Sequence, residues 1–171
     1  MEWDRLEFIL FSLDKYVFIG YFFFLILAVR IEKKASSVLI TFTVVALANG
    51  VMTSLVPLLY RLAANDGIAY KFIWYGTFCL IDMLAIYLLF KFHKLLKQNV
   101  SAVAEVAGAA FLCLATIQVL FFVEQYVFTS SVIRPIYQYG IPLINVALLP
   151  LLLLLWMSQR YRIKHQAQGA F

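Results

Sequence analysis

The chain has 171 residues, 64% of them hydrophobic and 13% charged, and carries a formal charge of +5. Soluble domains average about 45–50% apolar and about 25% charged residues, and a chain this short leaves much of its surface exposed. The balance excludes a water-soluble enzyme, a disulfide scaffold and a disordered tail, and points to a polytopic membrane protein; the mean hydropathy of +0.91 agrees.

One helical crossing takes about 20 residues, so five crossings with short loops use nearly the whole chain. Five apolar segments fit, at approximately 13–29, 38–60, 72–90, 102–123 and 136–157, followed by a basic tail at 158–171. The expected fold is an all-α integral membrane bundle of about five transmembrane helices, forming a single transmembrane domain.

The first segment has the shortest apolar core, Tyr16–Val29. A signal peptide would need a basic start and a small-residue cleavage site. Here the start holds Glu2, Asp4 and Glu7, and the run ends at Arg30. A retained crossing is expected, with Leu6–Leu13 either extending it or lying in the interface.

In the second segment, Thr43, Ala46, Gly50, Thr53, Ser54 and Pro57 share one arc at about 100° per residue, with Asn49 at its edge. Ala46, Gly50 and Ser54 make a small-residue row of the kind that lets helix backbones approach closely in lipid. Close packing is the expected role, and a hydroxyl-lined cavity the alternative. Ala104 and Gly108 make a similar pair in the fourth segment, where Glu105 is expected to reach headgroup-level water or pair with Lys94 or Lys97.

The third segment holds Asp82 near its middle. A carboxylate at the bilayer centre costs about 2.5–3.5 kcal/mol on insertion scales, so such a residue is a functional-site candidate by default. The fifth segment supplies possible partners. Arg134, Gln138, Pro142 and Asn145 share a face, and Pro142 and Pro150 release the carbonyls of Gln138 and Val146. Counted from the ends of their spans, Asn49, Asp82 and Asn145 fall near mid-bilayer, with Gln118 in the outer half of the fourth segment. These four are expected to form either a proton- or cation-responsive ligand site or interhelical polar glue. Glu124 and Arg134 flank the outer loop and are expected to pair there.

Charge sets the orientation. Putting Arg30, Lys33, Lys34, Lys91, Lys94, Lys97, Arg160, Arg162 and Lys164 inside places nine of the 14 Lys and Arg in the cytoplasm. That gives N-terminus out and C-terminus in by the positive-inside rule. The +5 is then a topology signal rather than a nucleic-acid footprint. Trp3, Trp74 and Trp156 lie near segment ends, where amphipathic rings prefer the interface, and His93 among its lysines is expected to face headgroups.

No P-loop, dinucleotide fingerprint or GxSxG motif occurs, and Cys79 and Cys113 lack paired spacing. No cofactor, metal or nucleophile–base pair is expected, so an enzyme acting on lipid ranks last. The expectation is a multi-pass protein of the plasma membrane, or of the inner membrane in a bacterium. Its first role is an interaction or sensor subunit presenting the basic face (Lys33, Lys34, Lys94, Lys97, Arg160, Arg162, Lys164) to a membrane-complex partner. The alternative is a small transporter or channel built on Asp82, expected to form homo-oligomers because five helices are few for a transport path.

Overall fold

The computed structural model describes residues 2–32, 34–128 and 132–168, with side chains from residue 15 onward except those of 163, 164 and 166–168. Lys33, the Lys164 side chain, the Trp3 ring, the Leu6–Leu13 side chains and tail residues 169–171 lie outside the described residues. Among the described residues there are five α-helices and no strand: α1 (Glu2–Glu32), α2 (Ser37–Ala63), α3 (Ile68–Leu95), α4 (Ala102–Val123) and α5 (Ile141–Gln168). Four spans among the described residues are long and apolar enough to cross a membrane: Ser37–Ala63, Ile68–Leu95, Ala102–Phe128 and Ile136–Arg162. The chain is a polytopic, all-helical membrane protein.

Local chemistry explains the helix ends. The Ser36 hydroxyl accepts the Leu39 N–H at the start of α2, and Ser101 accepts the Ala104 N–H at the start of α4. Each satisfies a backbone donor with no partner inside its helix. Gly67, at φ 127°, turns the chain into α3 from a backbone conformation that side chains rarely tolerate. The five residues Ile136–Gly140 form a π-helical turn that leads into α5, just before Pro142. Proline cannot donate to the carbonyl four residues back and its ring crowds that oxygen, so the break expected at Gln138 takes the form of a widened turn. A second π turn, Glu124–Phe128, continues α4. Beyond Met157, α5 runs on as helix to Gln168.

The helices neighbour one another in chain order, and α5 returns to pack on α1, closing the ring; α2 and α4 also touch across it. Helices α1 and α5 run side by side in the same direction. Tyr21 donates to the Asn145 carbonyl near one level, and Trp156 donates to Glu32 near another. Helix α1 is thus a stave of the bundle. Loops 34–36 and 96–101 gather at one end, together with the later part of α5; this is the basic end.

The two halves of the bundle pack differently. The basic half is lined by Ala46, Ala48, Ala85, Ala104 and Ala107, which let large side chains such as Phe42, Phe111 and Leu152 bury completely or nearly so. Small residues allow the close backbone approach on which helix association in lipid depends. Gly50 illustrates it: a Cβ there would lie 2.8 Å from the Phe18 ring of α1. Gly108 approaches Leu89 of α3, with more room. Ser54 departs from the expected packing row. It is exposed, its hydroxyl donating back to the Gly50 carbonyl. In the opposite half, bulky rings stand where the basic half has alanines. Trp74, Tyr75, Phe78, Phe121 and Tyr137 contact one another edge-on or stacked, Phe121 and Tyr137 at 4.2 Å between centroids. They hold the helices apart.

Candidate functional site

Behind those rings lies a cavity of about 360 Å³, lined by α2, α3, α4, the Ile136–Gly140 π turn and the start of α5. The sequence-predicted polar residues converge on it. Asn49, Asp82, Gln118 and Asn145 all line it, one from each of four helices, together with Arg134 and Gln138. Met52, Thr53, Trp74, Tyr75, Phe78 and Tyr137 supply the walls. Of the small and hydroxyl arc read on α2, only Asn49 at its edge and Thr53 reach the cavity, whereas Thr43 and Ser54 are exposed.

Each side chain is placed by its own helix. Asp82 sits at the midpoint of α3 and is 1% exposed. Gln118 is also buried, on the face of α4 that carries Leu114 and Phe121, one turn away on either side. Asn49 donates one N–H of Nδ2 to the Val45 carbonyl one turn back, which orients the amide and leaves Oδ1 as its acceptor. Tyr21 of α1 braces the region from outside by its bond to the Asn145 carbonyl.

Two buried oxygens around this cavity, Asp82 Oδ1 and Gln118 Oε1, have no hydrogen-bond partner among the described residues. A buried polar atom left unpaired costs about 1–3 kcal/mol, and native interiors keep few of them. Interhelical glue would pair these oxygens with their neighbours. Their residues line a cavity large enough for a small molecule, at the low end of the usual range for ligand sites.

A second polar cluster lies at the basic end, and here the structure corrects the sequence. His93 is buried rather than turned to headgroups. Its Nδ1 donates to the Leu89 carbonyl at 2.7 Å, and its Nε2 shares a 2.7 Å hydrogen bond with Ser37 Oγ. Ser37 Oγ also accepts the Ser101 backbone N–H and bonds the Ser101 hydroxyl at 2.8 Å. One imidazole thus ties the end of α3 to the starts of α2 and α4. A hydroxyl–imidazole pair invisible in the sequence therefore exists. Its hydroxyl is fully committed within a buried junction, which makes it a staple.

Trp156 is corrected in the same way. It is 2% exposed, edge-on to Phe42, and donates to Glu32, which also meets Arg160 at 3.3 Å. Trp74 faces the cavity and donates to the Tyr137 hydroxyl at 3.1 Å. Indole N–H groups need an acceptor, and protein supplies one in both cases. Glu124, at the other end, accepts the backbone N–H groups of Val132 and Ile133 and so ties the end of α4 to the chain leading into α5. Glu105 is exposed, as are Lys34, Lys94, Lys97 and Arg160 at the basic end. Among the described residues, no group of His, Cys, Asp and Glu is arranged to hold a metal ion.

No family model, curated protein or solved structure matches the chain.

Proposed function

We propose that this multi-pass membrane protein is a small solute carrier whose substrate site is the Asp82 cavity. The observation that supports this reading is the pair of unpartnered buried oxygens, Asp82 Oδ1 and Gln118 Oε1, on two residues that line one cavity. A carboxyl at membrane depth is costly and marks substrate or proton pathways. The cavity lies in the half away from the basic end, beyond a core packed with alanines and aromatic rings. With the basic end in the cytoplasm, α1 counted as a fifth crossing and the protein in the plasma membrane, the cavity belongs to the outward half. The site is complete within one chain, so a self-associated form would repeat it.

The test is uptake by proteoliposomes of labelled small solutes, one each of cationic, zwitterionic, anionic and neutral type. Uptake of at least one above that of empty liposomes, lost in Asp82→Asn and kept in Ser54→Ala, is expected. Uptake of none, or equal uptake by Asp82→Asn, overturns the reading.

The exposed basic end favours a second role, docking of a soluble partner. Co-purification of such a partner, lost when Arg160, Arg162 and Lys164 are neutralised, would establish it.

A further inference from the structure

We propose that the ligand of the Asp82 cavity is a protonated amine carrying a short apolar body. The proposal rests on the carrier reading and names its substrate class.

The buried polar atoms left unpartnered at the site are acceptors. Asp82 offers carboxyl oxygens, one of them unpartnered, and Gln118 presents an unpartnered Oε1. Asn49 has given one N–H to Val45 and keeps Oδ1 as an acceptor. Three acceptors around one space call for a ligand rich in donors, and an acid among them calls for positive charge. A charge-assisted N–H bond to a carboxylate is about twice as strong as a neutral one.

The walls point the same way. Trp74, Tyr75, Phe78 and Phe121 line the cavity, and aromatic faces attract cations, more strongly when water is excluded. A bare metal ion would use the acceptors but leave a space of about 360 Å³ and its aromatic lining empty. An ammonium group with an apolar body fills both. Arg134 also lines the cavity. It lies just before the last transmembrane stretch, Ile136–Arg162, about a turn before Gln138, so in the proposed orientation the positive group stands towards the outer end and the carboxyl towards mid-membrane. An amine therefore binds with its ammonium inward, at Asp82.

Three probes of one shape test this in nanodiscs at neutral pH: 2-phenylethylamine, 2-phenylethanol and 3-phenylpropionate. Binding is read by calorimetry and by Trp74 fluorescence, with Trp74→Phe as the optical control. The amine is expected to bind at least tenfold more tightly than the alcohol. Asp82→Asn should remove at least tenfold of that affinity, and Gln118→Leu should weaken it with normal thermal unfolding. Equal binding of alcohol and amine, or preference for the propionate through Arg134, overturns the amine class and leaves the cavity as a solute site. A Trp74 response to sodium chloride alone that Asp82→Asn abolishes makes it an ion site and also overturns the class. Binding of none of the three overturns both the class and the carrier reading.

Discussion

Replacing Asp82 by leucine is expected to stabilise the protein while ending its function. The carboxyl is 1% exposed and Oδ1 has no partner among the described residues. An unsatisfied buried polar atom costs about 1–3 kcal/mol, and exchange for an apolar group of similar shape removes that cost. Leucine has as many side-chain heavy atoms as aspartate, and the adjoining cavity has room for its bulkier methyl groups, so overpacking adds little. Part of the gain cancels, because the same carboxyl is also poorly solvated on an isolated helix in lipid. The net expectation is a gain of about 1–2 kcal/mol. Reversible unfolding in mixed detergent–lipid micelles, titrated with dodecyl sulfate, measures it. Asp82→Asn, closer in shape, controls for packing. A loss of more than about 1 kcal/mol in Asp82→Leu would refute the reasoning, for it would mean that the carboxyl makes a structural bond between helices. Stability gained with function lost is the pattern expected where a site holds a group unsatisfied for its ligand.

Three further outcomes follow from the rest of the bundle. His93→Phe keeps a ring in the buried junction but loses the bond to Ser37; interhelical bonds in membranes average about 0.6 kcal/mol and reach about 1.7 kcal/mol, and the same unfolding titration should show a loss in that range. Glu124→Gln leaves a weaker acceptor for Val132 and Ile133, so hydrogen exchange at those two amides should speed up severalfold while amides in the middle of α2 stay protected. For orientation, Gln98→Cys and Asp66→Cys, each in a protein with Cys79 and Cys113 replaced by serine, should react with an impermeant thiol reagent from opposite faces of the membrane. Reaction of Asp66→Cys from the cytoplasmic face would invert the proposed topology.

The candidate site was more legible than the basic end. Asp82, Asn49 and Asn145 could be assigned to mid-bilayer, and Gln118 to the outer half, by counting along apolar runs, because helix rise is constant and lipid sets the length of a crossing. Depth alone brought them near one another, and the structure places all four around one cavity. His93 and Trp156 were misread for a common reason. Each lies near a helix end among polar or basic neighbours, where composition points outward. The direction of one side chain there depends on which neighbouring helix starts or ends at the same level. Ser37 and Ser101, 56 residues before and 8 residues after His93 in the chain, capture its ring. Glu32, on the first helix, captures the indole of the last.

What the sequence determined by itself was the solvent. Long apolar runs force helices, since backbone groups in lipid must bond within their own segment, and an acid inside such a run is too costly to be incidental. Only the tertiary structure decided what surrounds that acid. Alanines let one half of the bundle close and aromatic rings hold the other half open, and the difference is a matter of which faces meet. That depends on side chains from four helices at once, and no single stretch of sequence contains them.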